Sequence, residues 1–155
     1  MRAVASAVVI AALALAGCGS SSPAQPSSSA FKSGFRSEKT AFRQLGLDLQ
    51  QAITGARAKT DAQLATELGA LSGRASQQGS RLAKLEPPAK FKTSLTQLAG
   101  GFQAVSADLK LIAAAAVKHD GAAAKTATET LLSDAAKVKT ADDAITKGLG
   151  LPATG

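Results

Sequence analysis

The sequence predicts an all-α protein: an antiparallel up-down-up-down four-helix bundle that follows a signal peptide and a flexible tether. Three observations carry that expectation. From Phe31 onward, apolar residues recur in alternating steps of four and three, the period of one helix face. Hydrophobic residues make up 45% of the chain, much of it alanine, whereas aromatics are 3% and all phenylalanine. That composition suits close-packed helices rather than strands, which favour aromatic and β-branched side chains. Helix boundary signals stand between the periodic segments, at Thr60-Asp61, Pro87-Pro88 and Asp120-Gly121. At 155 residues the chain has room for one core and not comfortably for two.

Residues 1–17 have the pattern of an export signal. Arg2 gives a basic start, and Ala3 to Ala16 is almost wholly apolar. That run is shorter than the roughly 20 residues needed to span a bilayer, and small residues follow it, as in a secretory signal peptide. Leu15-Ala16-Gly17-Cys18 resembles the lipobox of bacterial lipoproteins at all four positions. The resemblance covers this segment only. It implies that the Cys18 thiol receives a diacylglyceryl group, that cleavage falls before Cys18, and that the new amino terminus is open to acylation, as by palmitate. Two or more acyl chains anchor stably where one binds marginally. Cys18 is the only cysteine, which excludes an internal disulfide, a CxxC redox pair and a zinc finger. A buried thiol or a nucleophile would need folded surroundings, and the Ser/Pro-rich stretch behind Cys18 supplies none. Residues 18–30 are therefore expected to be a lipidated tether reaching on the order of 20 Å.

The bundle is expected over 31–149, with helices at about 31–57, 60–86, 89–119 and 121–149. The first stripe runs Phe31, Phe35, Glu38, Phe42, Leu45, Leu49 and on to Ala56. The second runs Leu64, Leu68, Leu71, Ala75, Gln78, Leu82 and Leu85. The third starts at Phe91 and passes Leu95, Leu98, Phe102, Val105 and Leu109 to Ala116. The fourth is weaker, from Ala124 through Leu131, Val138, Asp142 and Ile145 to Leu149. Four such faces can bury one another at crossings near 20°. Thr60-Asp61-Ala62-Gln63 predicts a capping box, and Pro87-Pro88 ends the second helix. Glycines within the helices cost about 1 kcal/mol each relative to alanine, and Gly100-Gly101 marks a place for the third helix to bend. The stretch Leu82-Ala-Lys-Leu-Glu-Pro-Pro-Ala-Lys-Phe resembles small helical lipoproteins of actinobacteria, a resemblance over these residues alone that implies no established activity.

Up-down topology brings the start of the first helix, the Pro87-Pro88 turn and the end of the fourth helix together. Lys32, Arg36, Lys39 and Arg81 belong to that end, as do Lys84, Lys90, Lys92 and Lys147. Only Glu38, Glu86, Asp142 and Asp143 oppose them there. The tether joins at the same end, so these basic residues are candidates for contact with anionic lipid or wall polymer, at roughly 1 kcal/mol each. The plainer reading is solvated lysine on helix ends. Glu38, Gln78 and Asp142 are the polar exceptions on the stripes and should share one level beside Leu98. Such a level could bind a cation or a small polar ligand, or fix helix register. Alternatively these side chains swing to the rim, toward Lys39, Arg81, Lys84 or Lys139.

Other motifs carry less. Leu151-Pro152-Ala153-Thr154-Gly155 matches the sortase sorting motif, but the hydrophobic segment and basic tail of that family do not follow, so 150–155 is expected to be a frayed tail. His119 is the only histidine and Met1 the only methionine. Di-iron Glu-x-x-His pairs and His/Met haem ligation are therefore not formed. His119 is expected to end the third helix and Asp120 to cap the fourth. Serines abound, but with one histidine in the chain no nucleophile is placed beside a histidine base, and Asp142-Asp143 point to different sides of a helix. No catalytic residue, metal or cofactor is expected. The lysines are spread and no aromatic platform exists, so nucleic acid is not an expected partner. The expectation is a non-catalytic lipoprotein at the extracytoplasmic face of the cell membrane, acting as a binding or structural module. The alternative is a carrier or sensor that uses the Glu38/Gln78/Asp142 level.

Overall fold

The structure, a computed structural model, describes residues 27–152. The expected signal peptide, Cys18 with its lipobox, most of the tether, and Ala153 to Gly155 lie outside the described residues. Among those described there are four helices and no strand: α1 Ser28–Gly55, α2 Asp61–Leu82, α3 Lys92–Val117 and α4 Gly121–Gly148. Single 3₁₀ turns, Ala56–Ala58 and Ala89–Phe91, occupy the first two connections. The short connections make sequential helices neighbours, and α3 packs along both α2 and α4. This is the all-α four-helix bundle that the periodicity predicts.

The helix ends differ from expectation for local reasons. α1 begins at Ser28 rather than Phe31, because Ser27 caps it: its Oγ accepts from the Ala30 amide at 3.2 Å. Residues 28–30 are therefore helix, not tether. α2 stops at Leu82 rather than Glu86. The amides of Lys84 and Leu85 bond three residues back, each at 3.1 Å, and the chain leaves the helix before Pro87. The capping box of α2 forms as predicted. Thr60 Oγ1 accepts from the Gln63 amide at 3.3 Å, and Gln63 Oε1 accepts from the Thr60 amide at 2.9 Å.

α3 and α4 both end in Schellman turns. In α3, His119 stands at φ 54°, donates to the Ala116 carbonyl at 3.1 Å, and is followed by an Asp120-to-Ala115 bond of 2.9 Å. Asp120 Oδ1 then caps α4 by accepting from the Ala123 amide at 2.9 Å. In α4, Gly150 takes the left-handed position, and the Leu151 amide reaches Thr146 O at 3.0 Å. Leu151 folds back against the core. Gly150 and Leu151 thus belong to the fold, contrary to the tail expected from residue 150.

All four predicted stripes turn inward, and none of their residues is exposed. The core residues and those packed on them lie between Phe31 and Leu151, so the domain contains its own core. α3, with the 3₁₀ turn before it, is the helix among those described that is long and apolar enough to cross a membrane. A third of its apolar stretch is buried in the bundle, where it packs along α2 and α4. It runs unbroken through Gly100-Gly101.

The helices are not equally close. A Cβ on Gly79 of α2 would lie 2.8 Å from the Ala99 carbonyl of α3. A Cβ on Gly101 of α3 would lie 2.6 Å from Val138 Cγ2 of α4, and one on Gly148 would lie 2.5 Å from Phe91 Cε1. Missing side chains therefore let α2, α3 and α4 approach. A buried Ser72–Ser106 pair, Oγ to Oγ at 3.0 Å, adds a small-residue contact between α2 and α3. α1 has a single such glycine, Gly34, whose Cβ would lie 3.0 Å from Leu85 Cδ2, and meets α3 and the turn before it mainly through phenylalanines. Phe31 stacks on Phe91 at 5.5 Å, and Phe42 meets Phe102 edge to face at 5.3 Å.

This difference predicts opposite signs for two kinds of glycine substitution. Gly69 and Gly73 have open space where a Cβ would stand. Changing either to alanine should stabilise the protein by about 0.5–1 kcal/mol. Gly101→Ala should destabilise it by about 1–3 kcal/mol, because Val138 is branched and cannot swing away. Urea unfolding midpoints of the single variants check both signs.

Candidate functional site

The standing-off of α1 opens a cleft between α1 and α4. Its walls are Phe42, Leu45 and Leu49 on one side and Ala135 and Val138 on the other, with Phe102 and Val105 of α3 as floor. The volume is about 330 Å³, at the small end of the roughly 300–1,000 Å³ typical of small-molecule sites. Arg43 and Lys139 border it, and Asp142 closes one end. Arg43 is exposed and makes no ion pair or hydrogen bond among the described residues. The Lys139 ammonium donates to Asp143 at 2.7 Å. That bond, and then the Asp143 charge, hold its pKa above the usual lysine range, so it stays a cation. Below the cleft α1 is pinned by its phenylalanines. Above, it leans on α2 through an Arg74–Asp48 ion pair of 2.5 Å.

The polar residues expected at one level form two interhelical ties. Gln78 Nε2 donates to the Glu38 carboxylate at 3.0 Å and to its carbonyl at 3.2 Å, joining α2 to α1. Asp142 is buried at 1% exposure and faces Lys39 Nζ at 3.8 Å, joining α4 to α1. Lys39 also donates to Thr146 Oγ1 at 2.8 Å and to the Pro152 carbonyl at 3.2 Å. The groups of this level are thus engaged with protein partners. Among the described residues no cluster of three or more His, Cys, Asp or Glu side chains is placed to hold a metal ion.

Lys39 must accordingly be taken out of the expected anionic-surface set. Its side chain is only 10% exposed, because Asp142 and the α4 terminus draw it inward. Lys32, Arg36, Arg81 and Lys84 remain at the tether end, as do Lys90, Lys92 and Lys147. None of them is in an ion pair among the described residues. Lys90 lies over the Phe91 ring, 4.8 Å from its centre. Among the nine lysines and arginines described elsewhere, five are matched: Lys59 by Glu67, Arg74 by Asp48, Lys125 by Glu129, Lys137 by Asp134 and Lys139 by Asp143. His119 Nδ1 lies 2.5 Å from Asp61, which links the α3 terminus to the start of α2.

Two features were not legible in the stripes. The cleft depends on how far α1 stands from α4, which no single-helix pattern encodes. Asp108 lies off the predicted stripe yet is 5% exposed, and its Oδ2 has no hydrogen-bond partner. Burial, and then repulsion from Asp134, push its pKa up, against an opposing pull from Lys137. Its position one residue before Leu109 is the available signal, since a central helix packed on two sides buries a wider arc.

The chain matches no family model, no curated protein and no solved structure. The site's own chemistry is therefore what bears on function.

Two stability effects follow. Lys39→Met removes the cation that faces the buried Asp142 and should cost roughly 3 kcal/mol, whereas Lys39→Met with Asp142→Leu should recover most of that loss. Urea unfolding at pH 7 reads both. For Asp108 the folded pKa lies above the unfolded one, so the folded chain holds the extra proton between the two values. Stability then falls as pH rises through that interval, and the cost is complete only above the raised value. Asp108→Asn should stabilise the protein by about 1 kcal/mol at pH 7 and by nothing at pH 3. Paired unfolding curves at the two pH values check it.

Proposed function

We propose that this protein is a lipid-anchored, non-catalytic binding module held at the extracytoplasmic face of the cell membrane. In this reading Cys18 carries the acyl chains, and the tether brings the start of α1 to the bilayer. The observation that carries it is the unpaired basic surface at the end where the chain enters α1. Among the described residues Lys32, Arg36, Lys84, Lys90, Lys92 and Lys147 sit around that entry without acidic partners, whereas five of the nine lysines and arginines elsewhere are paired. Unpaired cations on one end favour contact with anionic headgroups, an attraction that salt screens within a Debye length. The bundle then rests basic end down on anionic lipid, and its cleft and distal end face away.

The cleft favours a second, compatible reading: a carrier of a small ligand. The polar level has its groups satisfied within the protein, so that role moves to the space between α1 and α4.

The anchor and the surface contact are tested separately. In cells fed labelled palmitate, the wild-type protein should take up label and Cys18→Ala should not. A soluble form from Gly19 to Gly155 retains the core residues and should bind phosphatidylglycerol vesicles at low salt. It should release from them in 0.5 M salt and ignore phosphatidylcholine. Charge reversal of Lys90 and Lys92 together should weaken binding about tenfold or more, on the basis of about 1 kcal/mol per residue. Equal binding to both lipids would remove the surface contact, and an unlabelled wild-type chain would remove the anchor.

A further inference from the structure

We infer that the α1/α4 cleft holds the hydrocarbon chain of a fatty-acid carboxylate, with the carboxylate at Arg43 and Lys139. This goes beyond the anchoring role and needs neither the lipid on Cys18 nor the basic end. The shape of the cleft selects the occupant first. An extended peptide would bring backbone amides into walls made of Phe42, Leu45, Leu49 and Val138, which offer them no partner. An alkyl chain has no such groups, and it is slim enough to lie along the Phe102 and Val105 floor.

Charge selects the headgroup. Arg43 stands at the border with no partner among the described residues, so it is the open cation there; Lys139, on the opposite wall, is already bonded to Asp143 at 2.7 Å and adds a weaker pull. Asp142 at the end of the cleft faces Lys39 at 3.8 Å and also acts on Lys139, so the two acids, Asp142 and Asp143, are matched by Lys39 and Lys139, and Arg43 leaves one positive charge over. The arrangement therefore favours a single negative group beside an apolar slot, and a guanidinium can hold a carboxylate through two parallel hydrogen bonds. Gly46 lies on the α1 side with open space around it, which leaves the mouth unobstructed.

The test uses the Gly19–Gly155 form with dodecanoate below its micelle concentration, followed by calorimetry and by melting temperature. Dodecanoate should bind once per chain and raise the melting temperature. Dodecyltrimethylammonium should bind at least tenfold more weakly, and acetate not measurably. Ala135→Phe, which fills the slot, should abolish dodecanoate binding. Arg43→Glu, a change at an exposed residue, should weaken it at least tenfold while leaving the helical circular dichroism unchanged. Binding that survives Ala135→Phe would place the anion at the basic end and overturn the inference. So would equal affinity for the two amphiphiles, or tighter binding of a short two-chain phosphatidylglycerol. Vesicle binding by the Ala135→Phe variant should be unchanged, which separates failure here from failure of the membrane contact.

Discussion

The absence of side chains at a few glycines governs how this bundle is put together. Gly79 meets the Ala99 carbonyl and Gly101 meets Val138, so α3 sits tightly against α2 and α4. Helix separation is set by what stands at the contact, commonly 8–10 Å between axes. α1 has one close glycine, Gly34 against the Leu85 side chain just beyond α2, and otherwise offers Phe31, Phe35 and Phe42. It is held at its first turns by ring contacts and farther along by its lean on α2. A three-helix unit with a fourth helix set off from one neighbour is the outcome, and the cleft is the space that remains.

Polar groups follow the same division. Where helices are close, the buried polar contacts are short and made by small side chains, as in Ser72 with Ser106. Where α1 is set off, longer side chains bridge the gap: Gln78 to Glu38 on one side and Lys39 to Asp142 on the other. Buried ion pairs seldom add net stability, but a single buried pair can fix which helix faces which. Here the Lys39 contact also reaches the Pro152 carbonyl, so one ammonium ties α1 to the chain just beyond α4. Drawing Lys39 inward leaves the remaining cations of that end facing solvent.

Much of the fold was legible in the sequence because helix periodicity is a local property. The stripes from Phe31, Leu64, Phe91 and Ala124 need only the 3.6-residue turn, and each faces inward. The Thr60–Gln63 box and the Asp120 cap are local as well. Boundaries were displaced where a neighbouring residue decides: Ser27 extended α1, and the turn before Pro87 shortened α2. The polar level was legible as a set of exceptions, whereas its pairing was not. Whether Asp142 meets a ligand or Lys39 depends on the angle between two helices remote in sequence. The cleft was illegible for the same reason, since it depends on the distance between α1 and α4. Asp108 was hidden by the assumption of one buried stripe per helix, which fails for a helix packed on both flanks.

α1 is the less tightly held helix over a close-packed trio, and native-state hydrogen exchange measures this property. Amides of α1 between Phe42 and Ile53 should exchange through a partial opening that leaves the α3 amides near Leu98 to Leu109 protected, with a free energy below that of global unfolding. Identical opening free energies for the two helices, both equal to the global value, would mean that α1 is as firmly packed as the rest and would contradict the division into a trio and a looser fourth helix.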